Sequence, residues 1–291
     1  MKVYYYAHTG HRIGLDRFRR ASAVIKLLEQ SGIEVTLLSS DYRIASVARE
    51  YGIKRSVGVD VVRNIANIAY QGDKIIFDSE EANPLMLEDM RAYFSTFIHV
   101  NDNPEYKRAK NEYLITPYGE DDEYTCNAIV VDEKFYEQKE KTTPLSFFFG
   151  DDDYEKDLEK LLDSVQKLQV ALGLGFYYFL DYEEMLKKEF KEYFEFEEYQ
   201  EMVQTSKTVI TASTQTVLET LASGGKVVYF QREDYPDYYK NLFETLQIPM
   251  VDIHNTQQVQ EILSNISTVK YKKIENYSNK LQKFITNALN L

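Results

Sequence analysis

The feature that most constrains this fold is an alternation, run twice along the chain, of short apolar segments with stretches of helical periodicity. The first run opens at residues 2–6, which are too short and too aromatic for a secretory leader and read as a strand. A loop from His8 to Asp16 leads into a helix over residues 17–31. There Phe18, Ala21, Val24, Ile25 and Leu28 recur at helical spacing, and Gly32 stops the helix. Strands are expected at 34–39, 74–78, 97–101, 113–116 and 128–131, and helices at 43–50, 60–70 and 80–93. Residues 136–144 are polar, break the pattern and read as a linker. The alternation then restarts. It gives strands at 145–149, 175–180, 226–230 and 250–252, a strand ending at Val209-Ile210, and helices at 154–168, 181–199, 216–222, 238–246, 256–264 and 273–289. Such a pattern implies mainly parallel sheets covered by helices. We therefore expect two α/β domains, 1–140 and 145–291, the last helix placed to cross back to the first.

Composition narrows the function. Of 291 residues 44% are hydrophobic, yet no apolar run reaches the roughly 18 residues of a membrane span. A net charge of −13 argues against nonspecific nucleic-acid binding and against anionic membrane surfaces. It leaves a phosphorylated small ligand open, because local fields decide that. One cysteine, Cys126, excludes an internal disulfide and fits a reducing, cytoplasmic setting. No repeat or low-complexity tract is present, and the 24 tyrosines suggest no function by themselves.

The chemistry concentrates in two places. At Val209–Glu219 an apolar strand runs through small polar residues into a helix, which aims backbone N–H groups and hydroxyls beyond the sheet. A helix N-terminus of that kind binds phosphate or another anion. Glu219, one turn on, is placed to accept from sugar hydroxyls. The plainer reading is a Ser/Thr cap and a first-turn acid that favours the helix dipole. In the first loop Arg12, Arg17, Arg19 and Arg20 lie within nine residues of an acidic chain. Arg17 near a helix N-terminus opposes the dipole, which implies an anionic partner: a ligand phosphate or carboxylate, or an acid from the second domain. His8 and His11 share that loop. Their spacing is a weak metal signal, and His11 is a candidate acid/base group.

Four segments resemble a family. Residues 13–20 stand in the place of an I-G-x-G-H-x-x-R loop, 128–136 of an interdomain segment, 147–153 of a strand-G-G-[ST]-D turn, and 209–219 of an I-[ST]-A-[SG]-x-x-x-x-E turn. Together they resemble the UDP-sugar hydrolase of the pseudaminic acid pathway and, more distantly, the N-acetylglucosaminyl transferase of peptidoglycan precursor synthesis. The resemblance implies the GT-B fold, with two Rossmann-like domains facing each other across a cleft that holds a nucleotide-sugar, most simply a UDP-sugar, and no cofactor or metal. It implies that Ser213 and Thr214 bind the diphosphate, with Gly150 in the second glycine turn. Glu219 would hold the ribose, Gly14 would allow close approach, and Arg20 would be the loop's terminal base. The family's catalytic His position is Arg17 here, preceded by Asp16 in place of Gly. Arg17 cannot act as a general base near neutral pH, which leaves it to stabilise charge and His11 to move protons. Asp151, Asp152 and Asp153 replace the glycine-rich turn. They read as a solvated cap or, with converging oxygens, as metal ligands. Three functions follow: a nucleotide-sugar hydrolase or glycosyltransferase-like enzyme, a nucleotide-sugar binding protein without turnover, or a partner subunit using surface tyrosines.

Overall fold

The computed structural model describes residues 1–290. They form two compact α/β units. One comprises Met1–Gly10, Arg17–Asp132 and the C-terminal helix, the other His11–Asp16 and Glu133–Asn276.

The first unit is built on β1 (Val3–Ala7), β2 (Val35–Ser39), β3 (Ser56–Gly58), β4 (Lys74–Asp78), β5 (Thr96–Val100), β6 (Tyr113–Thr116) and β7 (Thr125–Asn127). Its helices are α1 (Asp16–Gln30), whose first residue falls in the second unit, α2 (Ile44–Ala48) and α3 (Pro84–Tyr93). The strand order is β3-β2-β1-β4-β5-β6-β7, and every pairing is parallel. The central strands β1, β4 and β5 are buried along their whole length, as a parallel sheet covered on both faces requires. Side chains alternate across it: Tyr4, Tyr6, Ile75 and Phe77 join Val62, Ile65, Met90 and Phe94 in one core. The tyrosines of β1 are core residues with polar tips. Tyr5 donates to Asp78 Oδ2 at 3.1 Å, and Tyr4 to the Ile68 carbonyl at 3.3 Å.

The second unit carries β8 (Thr143–Phe148), β9 (Ala171–Gly173), β10 (Tyr193–Phe194), β11 (Ser206–Thr211), β12 (Lys226–Phe230) and β13 (Met250–Val251). Its helices are α4 (Leu162–Gln166), α5 (Leu180–Glu189), α6 (Tyr199–Thr205), α7 (Thr214–Ala222), α8 (Lys240–Thr245) and α9 (Thr256–Asn265). The sheet is again parallel, in the order β10-β9-β8-β11-β12-β13. Phe147, Leu172, Ile210, Val228 and Phe230 pack its core with Leu158, Val165, Tyr182 and Leu186. The last helix, α10 (Ser278–Leu289), belongs to the first unit, where Lys74 Nζ donates to the Leu289 carbonyl. Among the described residues no helix is long and apolar enough to cross a membrane.

Several local expectations are corrected. Residues 60–70 make only a 3-10 turn, Val62–Asn67, since two adjacent valines and two asparagines propagate an α-helix poorly. The segment 154–168 likewise holds a 3-10 turn and the short α4. Residues 128–131 are not a strand; β7 ends just before them. The strand placed at 175–180 lies at 171–173 instead. Gly175 begins a loop so close-packed that a Cβ there would sit 2.5 Å from the Gly150 carbonyl oxygen. The aromatic stretch 181–199 is broken by β10, which an apolar run does not reveal. Surface tyrosines are fewer than composition suggested: Tyr177, Tyr178, Tyr182, Tyr199, Tyr229 and Tyr239 are buried as well as those of β1.

Candidate anion-binding site

In an open parallel sheet, neighbouring strands whose connections leave in opposite directions open a crevice at their carboxyl ends. In the second unit these strands are β8 and β11. The turn after β8 carries Gly150–Asp153, and the turn after β11 carries Ala212 and Ser213 into α7. Gly150 has φ +144°, and a Cβ on it would lie 3.3 Å from Arg232 Nη1, so only glycine fits.

Ser213 is the N-cap of α7. Its Oγ accepts from the Thr216 amide at 3.0 Å, and its own amide donates to Thr211 Oγ1 at 3.0 Å. What the N-terminus of α7 holds is a carboxylate from residues 11–16 of the same unit. Ser213 Oγ donates to Asp16 Oδ1 at 2.7 Å, Thr214 Oγ1 to Oδ2 at 3.2 Å, and the Gln215 amide to Oδ2 at 3.1 Å. Two hydroxyls and a backbone N–H at the positive end of a helix dipole thus converge on one anion. Gly14 lays the loop down: its φ is +74°, and a Cβ would stand 3.0 Å from Asp152 Oδ1 and 3.4 Å from the Tyr235 hydroxyl. The close approach expected of Gly14 is therefore made to Asp152.

The three aspartates are buried rather than solvated. Asp152 accepts from Arg232 Nη2 at 3.1 Å and from the Tyr235 hydroxyl, while Arg232 Nη1 donates to the Asp152 carbonyl at 2.8 Å. Burial pushes the Asp152 carboxyl up to about 6, against the pull of Arg232 and Tyr235. Asp153 caps the next turn, accepting from the Asp157 amide at 2.7 Å and the Leu158 amide at 3.0 Å. Among the described residues no three His, Cys, Asp or Glu side chains converge as a metal shell. The compensating cation, Arg232, went unnoticed in the sequence. The only signal in the sequence is its place, directly after the apolar strand β12, since three aspartates at a strand end need a cation only once they are buried.

Glu219 lies in the interior, 1% exposed, where Tyr199 donates to Oε2 at 2.6 Å and Gln215 Nε2 to Oε1 at 3.0 Å. A ribose hydroxyl would have to share those oxygens. His11 stacks on Phe179 with centroids 5.4 Å apart, beside Tyr177 and Tyr154. The neighbouring Arg12 lies over the Tyr154 ring at 4.4 Å.

Arg17 and Arg20 come together in the first unit, at the carboxyl ends of β1 and β4. Arg20 is buried and grips Asp78 through two bonds, Nε to Oδ2 at 3.1 Å and Nη2 to Oδ1 at 2.7 Å, with Nη1 on Asp102. Arg17 pairs with Asp78 at 3.5 Å and Glu80 at 3.1 Å. The anions these arginines answer are acids of their own unit. Beside them His8 Nε2 stands 3.6 Å from Glu81, with Nδ1 buried and unpartnered. Burial, reinforced by Arg17 and opposed by Glu81, lowers His8 to about 4. Unfolded His8, with its ordinary value of 6.5, takes a proton first. Stability is therefore lost as pH falls from about 6.5 to about 4. At about 1.4 kcal/mol per unit this reaches at most about 3 kcal/mol. A His8→Gln variant should lack that loss when urea unfolding is compared at pH 7 and pH 4.5.

No family model matches this sequence, and no curated protein does. Solved structures do match, along nearly the whole chain. The UDP-GlcNAc 2-epimerase of Methanocaldococcus jannaschii, solved with UDP-GlcNAc and UDP, superposes with a TM-score of 0.64 at 11% identity, covering 100% of both chains. The UDP-bound MnaA of S. aureus gives 0.64 at 14%, covering 100% of this chain and 98% of its own. MurG of Acinetobacter baumannii gives 0.58 at 14%, covering 99% and 100%. At such identities the likeness establishes the fold alone: two mainly parallel α/β domains of the GT-B type.

Proposed function

We propose that this chain is a nucleotide-sugar-processing protein, glycosyltransferase-like or hydrolase-like, that seats the diphosphate of a UDP-sugar on the N-terminus of α7. One observation carries the reading: the Ser213 and Thr214 hydroxyls and the Gln215 amide already hold an anion there, at the strand ends where such sheets bind ligands. The fold supports it, since two of the similar structures were solved with UDP.

A second reading, binding without turnover, draws on Arg17. Its charge is answered by Asp78 and Glu80, and a guanidinium tied to two carboxylates offers little to a departing phosphate. His11 remains the candidate for proton transfer. The experiment is a calorimetric UDP titration, followed by turnover assays over UDP-, GDP- and CMP-sugars. Thr214→Val should weaken UDP about tenfold, the value of one hydrogen bond to a charged group. Absence of UDP binding would remove the proposal, and binding without turnover of any sugar nucleotide would favour the second reading.

A further inference from the structure

We infer that Asp16 is an internal competitor for the diphosphate seat, a side-chain gate that a ligand must turn out of the way. The inference rests on the proposed reading of the α7 N-terminus. Its own ground is the geometry of residues 11–16. The backbone there is anchored: Leu15 is fully buried, and at Gly14 there is no room for a Cβ beside Asp152 and Tyr235. The Asp16 side chain is only partly buried, so it can rotate toward solvent while the loop stays in place. Three of its donors are ones an incoming phosphate oxygen needs: Ser213 Oγ, Thr214 Oγ1 and the Gln215 amide.

Two anions cannot hold the same three donors. The surroundings sharpen the conflict, for Asp152 and Asp234 both draw on Arg232. A phosphate arriving beside an undisplaced Asp16 would meet like charge. Exchange avoids this, since one anion leaves as another enters. A seat open in about a tenth of molecules weakens apparent affinity about tenfold. The rival arrangement keeps Asp16 in place and bridges it to the phosphate through a divalent cation.

The test is a calorimetric titration with UDP of the wild-type chain, Asp16→Ala and Asp16→Asn, each in EDTA and in Mg²⁺. Exchange predicts that Asp16→Ala binds UDP about tenfold tighter or more in EDTA. Asp16→Asn, which keeps the shape and one acceptor but no charge, should fall between. Hydrogen exchange at the Gln215 amide should be faster in unliganded Asp16→Ala and slow again when UDP binds. Equal affinity in all three proteins would overturn the gate and leave the nucleotide reading standing. Weaker binding by Asp16→Ala confined to Mg²⁺ would overturn it in favour of cation bridging. If none of the three binds UDP, the nucleotide reading falls and the gate with it.

Discussion

Replacing Arg20 by methionine is expected to cost the fold about 3–5 kcal/mol, the scale seen when one partner of a buried ion pair is removed. Arg20 is 5% exposed and Asp78 is 1% exposed. The Asp78 carboxylate sits at the end of the central strand β4, held by two bonds from Arg20 and one from the Tyr5 hydroxyl. Even with both arginines beside it, burial raises the Asp78 carboxyl above its ordinary value. Without Arg20, only the longer contact to Arg17 would compensate the charge. The deficit should therefore shrink on acidification, as protonation neutralises Asp78. The double variant Arg20→Met, Asp78→Leu should recover most of the loss, because an apolar pair of similar volume can replace a buried ion pair at little cost. Urea unfolding of the three variants at two pH values measures this. A double variant as unstable as Arg20→Met would show that shape rather than charge is at stake.

The second large effect is expected at Gly175. Its φ is not in the left-handed region, so the demand for glycine comes from packing alone. An added Cβ would lie 2.5 Å from the Gly150 carbonyl oxygen, 2.6 Å from Tyr178 Cε1 and 2.9 Å from the Asp151 carbonyl carbon. Two of those atoms are backbone, in the turn that supports the proposed seat, and they can yield only by moving the turn. Gly175→Ala should cost about 3 kcal/mol, the upper end of ordinary overpacking, and should weaken UDP as well. Gly32→Ala is the contrast. There φ is +79° and nothing lies within 4 Å of the added Cβ, so only the left-handed penalty of about 1 kcal/mol applies. Thermal unfolding of both variants, with and without UDP, separates the two costs. Equal losses would mean that the turn is more pliable than its contacts suggest.

What the residues alone determine here is what depends on near neighbours. Apolar runs bounded by helical periodicity are local, and they sufficed for a doubled parallel α/β architecture. The cap at Ser213 is local too: a small hydroxyl residue between a strand and a helical stretch has few other uses. The short strands β3, β7, β9 and β10 escaped the sequence because two or three residues carry no period, and only their neighbours in the sheet make them strands, whereas β13 fell within the strand expected at 250–252. Tertiary structure decided the rest, for a single reason: a charge reveals its partner only after the chain has closed on itself. Asp16 finds Ser213 across 197 positions, Arg232 finds Asp152 across 80, and Arg20 finds Asp78 across 58. Burial forces the last two of these unions, because an ionised group withdrawn from water must meet an opposite charge or a set of donors. In the sequence Asp16 is one acid among many. Once folded, it is the anion that the N-terminus of α7 holds.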